Sequence, residues 1–135
     1  MTDIQDFRQF MILRKAASDS FAGGDPAPLQ AISATKDPAT IFGPNGDCVQ
    51  GATKVTSANN KSAEHFAPGG KNEFEIMHMA ASGDFAYWVG IQRSVVNVRG
   101  HEPAAPMDLR ITEIFRREQG EWKLVHRHAD KLAAA

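Results

Sequence analysis

The chain has 135 residues, a formal charge of −1, and 42% hydrophobic against 23% charged residues, the profile of a single globular domain large enough to bury a core. That balance leaves no basic footprint for nucleic acid and no charge-based reason to sit on a membrane. The lone cysteine, Cys48, excludes an internal disulfide framework, and the absence of a signal-like start or an apolar run near ~18 residues makes the reducing cytoplasm the expected compartment.

In chain order, Thr2 or Asp3 is placed to cap a first helix whose Ile4, Phe7, Phe10, Met11, Ala17 and Phe21 recur at helical spacing, and Gly23-Gly24 ends it. Asp25-Pro26 predicts the start of a short second helix with Leu29 and Ile32 inward, broken by Lys36-Asp37-Pro38. Strands at Thr40 to Phe42 and Cys48 to Gln50 flank the turn formers Gly43 to Asp47, a loop that lacks the lysine and hydroxyl signature of a phosphate loop. Cys48 has no activating neighbour and reads as a small buried residue. A third helix is expected from Thr53 to Phe66, ended by Pro68-Gly69-Gly70.

Two long hairpins follow. Glu73 to Ala81 and Phe85 to Val98 surround Ser82-Gly83-Asp84, and a tight turn at Gly83-Asp84 pairs Ala80 with Tyr87 and His78 with Val89. Alternation then gives one nearly apolar face, Phe74, Ile76, His78, Ala80, Tyr87, Val89, Ile91, Arg93 and Val95, which is read as the inner one. The opposite face carries Glu75, Met77, Met79, Trp88, Gly90, Gln92 and Ser94. After the Gly- and Pro-containing loop Arg99 to Pro106 comes Met107 to Asp130, folded about Glu118-Gln119-Gly120 as a three-residue loop. Its inner face reads Leu109, Ile111, Glu113, Phe115, Val125, Arg127 and Ala129. Its outer face holds Arg110, Thr112, Ile114, Trp122, Leu124, His126, His128 and Asp130, and a two-residue loop would regroup these. Helices first and long antiparallel strands afterwards make the class α+β, a curved antiparallel sheet wrapped over N-terminal helices into a cone whose open end is a pocket.

Gly24-Asp25, the run Asp37-Pro38-Ala39-Thr40-Ile41-Phe42-Gly43-Pro44 through Gly51, Gly83-Asp84, and Gly120-Glu121-Trp122-Lys123-Leu124-Val125-His126-Arg127-His128 occur in an order and spacing that resembles the nuclear-transport-factor-2-like superfamily (cystatin-like fold). That superfamily includes ketosteroid isomerases and SnoaL-like polyketide cyclases. Within it the chain is most similar to the association domain of calcium/calmodulin-dependent protein kinase II and its bacterial single-domain relatives. The resemblance runs almost end to end over residues 1–135 and implies one domain of this type. It also implies an arginine-lined pocket for small carboxylates, with Arg93 at one arginine position, Glu113 and Ala129 at two others, and Arg127 close by. The aspartate base and oxyanion pair of the ketosteroid isomerases are not legible here.

The candidate chemistry follows from charges on the face read as inner. Arg93, Glu113 and Arg127 form a set with one surplus positive charge, suited to gripping a carboxylate, or else a cluster that neutralises itself. Tyr87 on the same face is a candidate donor to the ligand. The alternatives are an isomerase or lyase in which His78 moves a proton, and a non-catalytic oligomerisation module. His126, His128 and Asp130 share a face, read as hydrogen bonding within a homodimer packed through the outer sheet rather than as a metal site. No metal or cofactor is expected. The expected partners are a small organic ligand, a carboxylate among the possibilities, and a second copy of the chain, with no nucleic acid and no membrane.

Overall fold

The computed structural model describes residues 1–134. Thr2 caps helix α1 (Asp3–Ala22) through a reciprocal capping box with Gln5, as Thr and Gln at that spacing favour, and Gly23 closes it. Asp25 Oδ1 accepts from the Ala27 backbone N–H at 3.0 Å to start the single-turn α2 (Ala27–Ala31), and Leu29 is buried. Helix α3 (Ala52–Ala63) stops three residues short of the expected Phe66, because Phe66 already belongs to a strand.

The strands are β1 (Thr40–Phe42), β2 (Cys48–Gln50), β3 (Phe66–Ser82), β4 (Phe85–Val98), β5 (Ala105–Pro106), β6 (Leu109–Glu118) and β7 (Glu121–Lys131). They form one sheet in the order β2-β1-β7-β6-β4-β3, with β5 against β4; every pairing is antiparallel except β1 with β7. The architecture is the α+β arrangement expected, N-terminal helices against a curved sheet. Helix α1 supplies Phe7 and Met11 to a core shared with Trp88, Leu109, Ile111, Phe115, Trp122 and Leu124. Phe7 lies 5.2 Å from the Phe115 ring and 5.6 Å from Trp122, in tilted and edge-on contacts. Burying each such side chain stabilises the fold by roughly 1.5–3 kcal/mol. A smaller cluster, Ala34, Ala39, Ala52 and Val55 with Ile41, Val49 and Val125, ties α3 and the β1–β2 hairpin to the sheet.

Along β4, and along β3 beyond its bulge, the inner face is the opposite of the one expected, whereas Phe74 before the bulge packs inward on Trp88 as expected. The turn is at Gly83-Asp84, with Ala80 opposite Tyr87 and His78 opposite Val89, but Trp88, Gln92, Ser94 and Val96 are buried while Arg93 and Val95 are exposed. Of the expected inner residues of β4, Ile91 alone is buried. The nearly apolar face looks outward. The inner one is more polar in composition yet buries the indole of Trp88 completely and satisfies Gln92 and Ser94 internally. A bulge between Ile76 and His78 also breaks the strict alternation along β3. Opposite it sits Gly90, where any Cβ would collide with the Glu75 carbonyl oxygen.

The β6–β7 hairpin is closed by a two-residue turn, Gln119 and Gly120 at φ 52° and 80°, pairing Glu118 with Glu121. That register turns Trp122 and Leu124 inward, where they are buried, not outward as expected. Val125 is then the extra residue of a bulge, since Phe115 pairs with Leu124 but Ile114 with His126. Beyond the bulge Arg127 and Ala129 face inward with Glu113 and Ile111, and His126 and His128 face outward, as read. Cys48 is exposed rather than buried, at the start of a hairpin strand.

Candidate functional site

The sheet brings four polar residues under α1. Glu113, from the centre of β6, is fully buried, and both of its oxygens are filled. Oε1 accepts from Arg14 Nε at 2.8 Å and Trp88 Nε1 at 2.7 Å; Oε2 accepts from Arg14 Nη2 and Arg127 Nη1, each at 2.7 Å. Arg14 comes from the buried side of α1, its guanidinium 5.5 Å from the Phe74 ring centre, and its Nη1 finds no acceptor among the described residues. Arg127 reaches across from β7 and also donates from Nη2 to Gln92 Oε1 at 2.7 Å.

The electrostatics follow from this packing. Burial alone pushes the Glu113 carboxyl up, but the charges and hydrogen bonds of Arg14 and Arg127 outweigh it and hold the group down at about 2. Arg127 shifts the other way: burial lowers its pKa and the Arg14 charge adds to that, against the raising effect of Glu113. The trio carries a net charge of +1 at a largely buried site. Glu113, ionised and with its lone pairs taken, is no proton acceptor.

Arg14, Gln92 and Arg127 border a cavity of about 960 Å³, whose apolar wall includes Phe21, Leu29, Ile41, Val55, Phe66 and Leu124. The Arg127 side chain remains 17% exposed there. The cavity mouth lies among the β1–β2 loop, His65, Asp108 and the last described residues.

The residues singled out in the sequence are thus divided. Glu113 and Arg127 meet on the inner face as expected; Arg127 lines the cavity, and Glu113, fully buried, does not. Arg93 does not join them: its side chain is 50% exposed at the rim, with Nε 2.8 Å from Glu75 Oε2 and Nη1 3.4 Å from Asp108 Oδ2. His78 and Tyr87 were placed inside and lie instead on the outer face, where His78 Nδ1 and the Tyr87 hydroxyl are 3.0 Å apart. The inverted face of β3–β4 moves all three. Arg14, Trp88 and Gln92 were missed. Arg14 falls in step with Phe7 and Met11, a spacing that would have placed it on the buried side of α1.

On the outer face Thr40 Oγ1 and His126 Nδ1 are 2.6 Å apart, and Phe42 stands edge-on to both His126 and His128. Among the described residues no three His, Cys, Asp or Glu side chains are grouped to hold a metal ion, and no helix is long and apolar enough to cross a membrane.

A family model described as a SnoaL-like domain matches residues 13–132. A candidate dehydratase of the NTF2-like family from Streptomyces avermitilis superposes with a TM-score of 0.82 at 19% identity, over 98% of this chain and 100% of that one. A candidate calcium/calmodulin-dependent protein kinase type II association domain from Thiobacillus denitrificans gives 0.70 at 20% identity, over 90% and 93%. The association domain of CaMKII from C. elegans gives 0.70 at 14%, over 96% and 98%. No curated protein matches the chain. At these identities the structural likenesses speak for the fold, in agreement with the resemblance seen in the sequence.

Proposed function

The chain belongs to the SnoaL-like domain family, and from that premise we propose that it binds a small organic molecule with an anionic head, a carboxylate, in the cavity beneath α1. The observation that carries this reading is the Glu113 cluster: two guanidinium groups share one carboxylate that has no lone pair left, and the Arg127 side chain lines the cavity and stays partly exposed. A carboxylate beside Arg127 balances the surplus charge, and the walls from Phe21 to Leu124 take an apolar body. Arg93 stands at the rim and leaves the grip to Arg127, with Glu113 orienting the guanidinium.

Thermal-shift titration with short- and medium-chain carboxylates tests it. A ligand at 100-fold over its Kd raises Tm by on the order of 10 °C. Arg127→Ala abolishes the shift and Arg93→Ala keeps it. A wild-type Tm that no carboxylate raises, or a shift that survives Arg127→Ala, sinks the proposal.

Proton transfer has less support. Glu113 is committed, His78 is outside, and His65 at the mouth is the one histidine among the cavity's lining residues.

The outer sheet face supports a second, compatible role in self-association, which the names of the association-domain neighbours also carry. Its apolar residues include Phe42, Phe85, Tyr87, Val89, Val95 and Ile114, while Trp88, Trp122 and Leu124 turn inward. Phe85 is 59% and Ile114 38% exposed in the single chain. Light scattering at micromolar concentration checks this: a homodimer that Ile114→Arg converts to monomer supports the face, and a wild-type monomer removes it.

A further inference from the structure

The buried polar residues beside Arg127 form one chain of hydrogen bonds whose direction is fixed at both ends. Arg127 can only donate, so Gln92 must present its carbonyl oxygen to Nη2, at 2.7 Å. The Gln92 amide nitrogen therefore faces Ser94 Oγ and donates to it at 3.3 Å. Ser94, now an acceptor from Gln92, spends its own proton on Asn72 Oδ1 at 2.8 Å. Asn72 must then turn its amide nitrogen to Ser18 Oγ, at 2.8 Å. Asp19 confirms this orientation independently. Its carboxylate Oδ1, which can only accept, lies 3.2 Å from the same Asn72 nitrogen.

Ser18 is where the chain ends. It is buried, its oxygen is an acceptor, and none of the described residues accepts its hydroxyl proton. Ser18 lines the cavity, one helical turn after Arg14 on the same side of α1.

We propose that the Ser18 hydroxyl is a second polar subsite of the cavity, donating a hydrogen bond to a neutral acceptor oxygen on the body of a carboxylate ligand. This rests on the anion reading of Arg127 and narrows it: the ligand class is an oxo acid, with a carboxylate at one point and a carbonyl further along an otherwise apolar chain. Asn72 fills one lone pair of the Ser18 oxygen and the hydroxyl proton has no taker among the described residues, so the unspent donor calls for an acceptor such as a carbonyl oxygen at that position.

The test uses isothermal titration of the wild-type chain with heptanoate and with 4-, 5- and 6-oxoheptanoate. One of the oxo acids, at the matching distance, binds about three- to tenfold tighter than heptanoate. Ser18→Ala removes that preference, so that the oxo acid then binds no tighter than heptanoate, while Asn72 keeps Asp19 as the acceptor for its amide when the serine oxygen is gone. Heptanoate binding with no oxo-acid preference, or a preference that persists in Ser18→Ala, overturns the subsite while the anion site stands. Binding of none of the four acids overturns the anion site, and the subsite with it.

Discussion

Two arginine–carboxylate clusters sit on either side of the same sheet. On the inner side Glu113 is fully buried between Arg14 and Arg127; on the outer side Arg93 lies between Glu75 and Asp108 with half its side chain in solvent. The residue types and contact distances are similar: 2.7 Å within the inner ion pairs and 2.8 Å from Arg93 to Glu75. What differs is water. Outside, solvent competes for each charge and the pair adds little to stability. Inside, each charge has been stripped of hydration, so the cluster holds only as a complete set. Similar residue types and contact distances therefore predict unequal consequences for the fold.

The largest effect is expected from Glu113→Gln, which sets an amide N–H against a guanidinium and leaves two buried cations without a counter-charge. Loss of about 3–5 kcal/mol in urea unfolding is expected; a loss below 1 kcal/mol would equate the two clusters and break the contrast. Next comes acid. A carboxyl whose folded pKa is depressed stabilises the fold above its unfolded pKa and loses that contribution as pH falls through the folded value. Glu113, lowered from 4.5 to about 2, contributes in full above pH 4.5 and nothing below pH 2. The wild type should thus lose on the order of 3 kcal/mol across that window, and Glu113→Gln should lack this component.

Trp88→Phe sharpens the contrast from within the inner cluster. It keeps an aromatic ring against Phe74, 4.7 Å away, but removes the Nε1 donor to Glu113, and is expected to cost about 1–3 kcal/mol. The smallest effect is Arg93→Ala, which should leave the urea midpoint where it was; a clear drop would mean that the rim cluster is coupled to the core.

The contrast also explains which parts were legible in the sequence. Glu113 stands out in β6 because Leu109, Ile111 and Phe115 alternate around it without a break, so an acid among them must be buried. Arg127 was assigned to the correct face because two departures cancel: the turn is one residue shorter than expected, and the bulge at Val125 restores the phase. Nothing cancelled in the middle hairpin. Its inner wall carries Gln92 and Ser94, which resemble a solvent face until Asn72, 22 residues before Ser94 on the neighbouring strand, is seen to satisfy it. Arg14 was obscured because a cation in a helical apolar stripe acquires its meaning only from a partner 99 residues away. Periodicity reports where side chains point; it does not report which distant polar groups close their hydrogen bonds.

The bulge at Val125 has a consequence of its own. By placing Leu124 in the main core and Val125 against Ala34, Ala39, Ala52 and Val55, it hinges two separately packed bodies on adjacent residues. The lesser body, made mostly of alanines, has little holding it shut, so its amides should exchange with deuterium well before those of β6. Because Ile41, Val49, Val55 and Val125 of this body also line the cavity, its opening would loosen one wall of that space. An engineer could rewrite α3 to reshape that wall while leaving the aromatic centre of the molecule untouched.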